Sequence, residues 1–116
     1  MSESLKPIPL RFWRSANGRE SVRDWLNELR RDEQRIVGRD IGKAQFGWPI
    51  GLPVCHPLGE GLWEVRSSLT GKREARVLFC FHEGTLIALH AFFKKTPRTP
   101  SEELALARRR MKEVSS

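Results

Sequence analysis

Hydrophobic and polar residues alternate near the start of the chain, in the segment IPLRFWR, Ile8–Arg14. Ile8, Leu10 and Phe12 would share one face of an extended chain, because successive side chains of a strand point to opposite sides. This period of two is typical of a half-buried strand. We therefore predict a first strand here, with Pro9 near its beginning.

Helical periodicity replaces the alternation after the turn-like segment Ser15–Gly18. Apolar side chains recur at i, i+3, i+4 and i+7 while charged side chains fill the opposite face, which indicates an amphipathic helix. These apolar positions are Val22, Trp25, Leu26 and Leu29. The spacing continues to about Phe46 with a break near Arg31–Asp32, and the stretch Gly47–Pro57 predicts a loop. The N-terminal half is thus predicted to form a helical hairpin followed by a loop.

Three runs rich in β-branched and aromatic residues predict three further strands. The runs are LWEVRSS at Leu62–Ser68, REARVLFCFH at Arg73–His82 and TLIALHAFFKK at Thr85–Lys95. The two residues between the last two runs, Glu83 and Gly84, suit a two-residue hairpin turn. We expect the three strands to form an antiparallel meander.

A capping-box pattern over Thr99–Glu102 predicts a last helix, with Pro100 at its first helical position. Its apolar face would carry Leu104, Ala107, Met111 and Val114. The predicted order is β-α-α-β-β-β-α, an α+β fold in which helices lie on a mainly antiparallel four-stranded sheet. At 116 residues, the chain is expected to form one domain over residues 1–116.

The composition is basic: 21 Lys and Arg against 14 Asp and Glu give a formal net charge of +7. This charge favours a polyanionic partner such as nucleic acid, an anionic membrane or an acidic protein. Solvated basic faces on an ordinary protein would explain the charge equally well. The choice between these readings has to come from the placement of the cations.

Several classes of protein are not indicated. Cys55 and Cys80 lie far apart with no C-x-x-C motif, so neither a disulfide framework nor a zinc site is expected. No clustered carboxylates suggest a magnesium site, and no cofactor is predicted. The N-terminus lacks a signal-peptide pattern and no apolar run is long enough to span a membrane, so we expect a cytoplasmic protein without a membrane partner.

The hairpin turn predicts which cations share a face of the sheet. If Glu83 and Gly84 form the turn, Arg76 lies opposite Ala91, and period two then places Arg76 and Lys95 on the same face. Lys94 would end the opposite face, which is nearly all apolar and suits the two N-terminal helices. Neighbouring cations in the preceding strand and loop are Arg66, Lys72 and Arg73. A turn of odd length would reverse this assignment.

The three histidines receive different interpretations. By the predicted register His90 falls on the apolar face, where a satisfied core histidine is the simplest reading. His56 and His82 fall in loop or turn positions, where we expect them to be solvated. For Lys94 and Lys95, protection of an exposed strand edge is an alternative to a functional role.

The blocks LWEVRSS, EARVLFCF and LIALHAFFKKTPRTPSEELALARRR resemble the RelE/ParE superfamily of toxins from bacterial toxin–antitoxin pairs. Within it the chain is most similar to the HigB-like, phage Gp49-related branch. The strongest local similarity is His90–Arg110, which reads as an apolar strand, two lysines, a Thr-Pro cap and a basic helix.

The resemblance implies a small sheet packed by two N-terminal helices, and an endoribonuclease that cuts messenger RNA on the ribosome and so inhibits translation. It also implies an antitoxin partner, often a helix-turn-helix protein. By position it implies catalytic roles for Arg76, Lys95 and Lys94. The cations expected to bind RNA are Arg66, Lys72, Arg73 and Arg98.

Attack by the ribose 2′-hydroxyl needs a deprotonated hydroxyl, neutralised phosphorane charge and a protonated leaving oxygen, and fixed cations serve the second need. Some relatives use a C-terminal tyrosine or histidine for proton transfer, but this chain has no tyrosine and no histidine after His90. His90, Glu64 or a lysine would then have to substitute, unless ribosomal RNA supplies part of the chemistry. A metal-independent reaction is expected.

Two other functions stay open. The ParE side of the superfamily implies a non-enzymatic inhibitor of DNA gyrase, and a degenerate toxin could act only as an antitoxin-binding regulator. For Arg76, an ion pair with Glu74 or Glu64 is the structural alternative to a role in catalysis.

Overall fold

The computed structural model describes residues 6–94 and 99–115. Its elements in chain order are β1 (Leu10–Phe12), α1 (Ser21–Asn27), α2 (Arg31–Gly47), β2 (Cys55–Gly59), β3 (Leu62–Ser68), β4 (Glu74–His82), β5 (Thr85–Lys94) and α3 (Ser101–Ser115). A short 3₁₀ turn at Thr70–Lys72 joins β3 to β4. The predicted α+β class, the helical hairpin and the C-terminal helix are confirmed. Within the described residues, no helix is long and apolar enough to cross a membrane.

The sheet has five strands rather than four, in the order β1-β5-β4-β3-β2. β1 runs parallel to β5, and the other neighbouring strands are antiparallel. The predicted loop Gly47–Pro57 was wrong at its end, because Cys55–Gly59 pairs with β3. The sequence pattern did not predict this strand because it is short and contains Pro57. Since β2 is an edge strand, proline is tolerated there.

Both faces of the sheet are covered by helices. α1 and α2 pack on one face, where Val22 of α1 and Val37 and Ile41 of α2 share a cluster with Val77 and Ala88 of the sheet. On the opposite face, Ala107 and partly buried residues of α3 pack over Leu78, Cys80, Ile87, Leu89 and Phe92. The face predicted to be basic is therefore apolar beneath α3, and its polar residues gather toward one end.

A β-bulge changes the predicted hairpin register. Pairing follows the two-residue turn from His82 opposite Thr85 as far as Phe79 opposite Ala88, and then shifts so that Leu78 lies opposite His90. One extra residue in a strand reverses the facing of every side chain beyond it.

The predicted pairing of Arg76 with Ala91 was therefore wrong: Arg76 lies opposite Phe92, and Lys94 lies opposite Glu74. Lys94 does not end the face covered by α1 and α2. It shares the α3 face with Arg76, and so does His90, whose ring contacts Glu103 of α3.

Two glycines in α2 give a direct test of its geometry. Gly38 and Gly42 lie inside the helix, and a Cβ added at either would meet no atom within 4 Å. Because interior glycine costs a helix about 1 kcal/mol relative to alanine, Gly38→Ala and Gly42→Ala should each raise the free energy of unfolding by roughly that amount. Urea denaturation measures the change.

The matched control is Gly84→Ala, the same substitution at φ +77° in the β4–β5 turn. Alanine is strained in that conformation, so this variant should be less stable than the parent. Destabilisation by both helical substitutions would show that α2 is not the open, regular helix described here.

Candidate functional site

The polar end of the α3 face collects side chains from three neighbouring strands. Arg66 of β3 lies directly opposite Arg76 of β4, and Glu74 lies between Ser68 and Lys94. Directly opposed residues share a face, so these side chains are neighbours. Thr99, two residues before α3, contacts the same group.

A hydrogen-bonded network centres on Glu64. Arg76 Nη1 donates to Glu64 Oε1 and Oε2 at 3.2 and 3.3 Å, and Arg66 Nε donates to Oε1 at 2.8 Å. The Thr99 hydroxyl donates to Glu64 Oε2 at 2.6 Å and accepts from Arg76 Nη1 at 3.1 Å. We call Glu64, Arg66, Arg76 and Thr99 the central network. It ties the start of α3 to the sheet.

Glu64 and Arg76 are both completely buried, at 0% exposure. Burial would raise the pKa of the Glu64 carboxyl, but the hydrogen bonds from Thr99 and Arg66 and the charges of Arg76 and Arg66 outweigh it, so the pKa lies below its usual value. Glu64 is therefore an ionised carboxylate at neutral pH. An ion pair between Arg76 and a carboxylate, raised by the sequence as an alternative, is present with Glu64.

Two donors of the Arg76 guanidinium lack acceptors. Its Nε and Nη2 are buried without a hydrogen-bond partner among the described residues. Nη2 lies 3.9 Å from Glu74 Oε1, too far for a hydrogen bond. Buried donors without acceptors are costly and rare, and a ligand could not reach either nitrogen without a rearrangement of the side chains around Arg76.

Cations that solvent can reach flank the buried pair. The Arg66 side chain is 38% exposed, and the Lys94 side chain is 23% exposed and bonded to Glu74 at 3.1 Å. An anionic ligand would therefore meet these two cations first.

The family model described as Phage derived protein Gp49-like (DUF891) matches residues 24–112, well over half of the chain. The chain belongs to this Gp49-like family. The family is part of the RelE/HigB-like toxins and is associated with toxins of toxin–antitoxin pairs. The matched residues include the whole central network. No curated protein matches the sequence.

In this Gp49-like chain, Arg73 and Lys72 lie away from the central network. The Arg73 guanidinium stacks 4.2 Å from the centroid of the Phe93 ring and lies 3.4 Å from Glu33 of α2. It therefore extends toward the face that α1 and α2 cover. Lys72 is exposed in the 3₁₀ turn between β3 and β4, at φ +62°. The structure does not bring either residue to Arg76.

The remaining predicted site residues divide into two groups. Lys95 and Arg98 lie outside the described residues. His90 lies on the α3 face, where its Nε2 is 2.7 Å from Glu103 Oε1 and its ring stacks on Phe92 at 5.5 Å. Its expected place on the apolar face under the N-terminal helices was wrong, because the bulge reverses it.

His56 was predicted to be a solvated loop residue, but it lies in β2 directly opposite Glu64. It is partly buried, and its Nε2 lies 3.2 Å from the Pro53 carbonyl oxygen. Burial and the charge of Arg66 lower the pKa of His56 below 6.5, with a smaller contribution from Arg76, against the opposing effects of the Pro53 contact and Glu64. The ring is therefore neutral near pH 7. A prediction of β2 as a strand paired with β3 would have placed His56 beside Glu64.

Neither a metal site nor a reactive cysteine is indicated within residues 6–94 and 99–115. No group of three or more His, Cys, Asp or Glu side chains there could hold a metal ion. Cys55 and Cys80 are both buried, and burial raises the pKa of each thiol to about 11. A thiolate nucleophile at neutral pH is therefore disfavoured.

Proposed function

We propose that this protein is a toxin of a toxin–antitoxin pair that cleaves messenger RNA on the ribosome and so inhibits translation. An antitoxin of the helix-turn-helix type would neutralise it. Family membership supports the toxin role. The observation that carries the enzymatic part is the placement of accessible Arg66 and Lys94 beside the buried pair of Arg76 and Glu64.

The proposed reaction transfers the phosphate within the RNA and needs no metal. The ribose O2′ attacks the adjacent phosphorus, the bond from phosphorus to O5′ breaks, and the products carry a 2′,3′-cyclic phosphate and a 5′-hydroxyl. One group takes the proton from the 2′-hydroxyl, and another gives a proton to the departing O5′. Cations stabilise the extra negative charge between these steps.

Phosphate binding falls to Arg66 and Lys94 in this proposal. Arg66 is held by Glu64 in a fixed orientation, and its guanidinium can contact two phosphate oxygens at once. Arg76 orients Glu64 through two hydrogen bonds from its Nη1 to the carboxylate. Lys95 and Arg98 keep their predicted roles in catalysis and RNA binding.

His56 is the best candidate for removing the 2′-hydroxyl proton. It is neutral near pH 7 and lies beside Glu64 and Arg66. Glu64, also considered for this step, accepts three sets of hydrogen bonds and has a lowered pKa, so it is a weak base. His90 is engaged with Glu103 and is the second choice.

Brief induction of the protein in bacterial cells tests the function, with messenger-RNA 5′ ends and plasmid supercoiling measured together. We expect new cuts at codon-phased positions, and we expect them to disappear for an Arg66→Ala/Lys94→Ala variant. Intact transcripts with altered supercoiling would instead support a gyrase inhibitor. Growth without either change would leave only an antitoxin-binding role.

A further inference from the structure

A row of cations lies on the outer surface of α2. Arg31, Arg35, Arg39 and Lys43 recur at i, i+4, i+8 and i+12, and all four are exposed. At 1.5 Å rise per residue, the row is about 18 Å long. We call these four residues the α2 row.

The positive charges of the α2 row have almost no carboxylate partners within the described residues. Only Lys43 of the row contacts a carboxylate there, Asp40, at 3.6 Å. Like charges four residues apart destabilise a helix, and a cation in the first turn, such as Arg31, opposes the helix dipole. By contrast, Arg14, Arg19 and Arg23 of the neighbouring segment all pair with carboxylates. The row therefore costs stability, which indicates a use other than folding.

A groove connects the α2 row to the central network. It has a volume of about 290 Å³ and lies between Arg39 and Lys43 of α2 and Arg66 and Ser68 of β3. Asp40, which pairs with Lys43, also lines it. β2 pairs with β3 only as far as Val65, so beyond it the outer edge of β3 has no strand beside it within the described residues. The groove follows this open edge to Arg66, which binds Glu64.

An aromatic ring extends the row at the C-terminal end of α2, the end that borders the groove. Phe46 follows Lys43 by three residues, on the same side of the helix, and is 64% exposed. Proteins that bind single-stranded nucleic acid combine a cationic track for the backbone with aromatic rings on which bases stack. An acidic protein partner would also contact such a ring, so binding of an acidic antitoxin is one outcome of the test.

We propose that the α2 row, the groove and Phe46 bind single-stranded RNA, with the row and groove contacting its phosphates and Phe46 stacking on a base. The inference rests on the proposed function, since it identifies this strand as the substrate on one side of the cut. Four positions of the row and Arg66 then hold successive phosphates leading to the central network.

The test measures binding of a fully 2′-O-methylated RNA oligonucleotide, which cannot be cut through O2′, to the purified full chain between 50 and 200 mM salt. Arg35→Ala/Arg39→Ala/Lys43→Ala removes up to three phosphate contacts. The slope of log K against log salt should then fall in magnitude by about 2, so the loss of affinity relative to the parent should be about 16-fold larger at 50 mM than at 200 mM salt. Phe46→Ala should weaken binding by about fivefold or more with an unchanged slope.

The charge-matched control is Arg11→Ala/Arg109→Ala/Lys112→Ala, which removes three exposed cations from β1 and α3. Its salt slope should equal that of the parent. The row variant should melt at the same temperature as the parent or higher, because like-charge repulsion is relieved. A lower melting temperature would indicate that the row has a structural role and would overturn the proposal.

The other outcomes separate this inference from the proposed function. If the row variant keeps the full salt slope while the parent cleaves messenger RNA, the inference is wrong and the function stands. If the row binds the oligonucleotide but induction produces no cuts, the function is wrong and the inference stands. If the parent does not bind the oligonucleotide and the row is needed only for capture by an acidic antitoxin, the inference is also wrong.

Discussion

Replacement of Glu64 by glutamine should destabilise the protein by about 3–5 kcal/mol, because it leaves the buried Arg76 guanidinium without its counter-charge. Both side chains are completely inaccessible to solvent, so water cannot take the place of the carboxylate. The midpoint of urea denaturation measures the loss. Glu64→Gln keeps the size of the side chain and removes only its charge.

Two further variants show whether the loss comes from the buried charge. Glu74→Gln removes a carboxylate that is 39% exposed, and it should cost no more than about 1 kcal/mol. Glu64→Gln/Arg76→Met removes the unpaired charge as well and should recover much of the stability. Equal effects of Glu64→Gln and Glu74→Gln would contradict the buried pair.

The dependence of the free energy of unfolding on acid pH gives a second test of the Glu64–Arg76 pair. Because the folded state lowers the pKa of Glu64 below 4.5, the unfolded state binds the proton more readily in that range. The stabilisation is therefore fully present above about pH 4.5 and is lost as the pH falls through the lowered pKa. Glu64→Gln should lack this part of the acid dependence.

Replacement of His56 by alanine should slow RNA cleavage by about 10²–10⁴-fold, the usual contribution of a positioned general base. The predicted loss is in the rate of the chemical step, measured by single-turnover cleavage of messenger RNA on programmed ribosomes. Oligonucleotide binding should change little, because the ring is neutral near pH 7.

The pH dependence identifies the role of His56 more closely. Since burial and the charge of Arg66 lower the pKa of His56 below 6.5, the parent rate should be level at pH 7 and fall only as the pH drops through that lowered pKa, where the ring becomes protonated. His82→Ala is the matched control, because His82 lies at the β4–β5 turn beside Glu83, 3.6 Å away. If His90→Ala lowered the cleavage rate more than His56→Ala, the general base would be His90, paired with Glu103, and not His56.

The fold class was predictable because long periodic segments carry strong signals. The amphipathic spacing of α1 and α2, the hairpin turn and the cap of α3 each reflect a local preference. β2 was missed because a five-residue edge strand containing proline has almost no pattern of its own. Because β2 was missed, His56 was missed as a site residue, since only its pairing opposite Glu64 indicates a role for it.

The bulge in β5 was not predictable from local pattern. Leu89 and His90 both turn toward α3, and no glycine there signals a break in alternation. The predicted register placed Lys95, and not Lys94, on the face of the sheet that carries Arg76. Lys94 in fact shares that face and binds Glu74, so we now expect Lys94→Ala to impair cleavage.

The chemistry of the cut ends tests the central claim most directly. Messenger RNA cleaved on ribosomes by the purified protein should carry 5′-hydroxyl and 2′,3′-cyclic phosphate ends, and the Arg66→Ala/Lys94→Ala variant should produce none of them. Fragments with 5′-phosphate ends would show attack by water instead of O2′. Identical fragments from the variant would show that the network around Glu64 and Arg76 is not the site of cleavage.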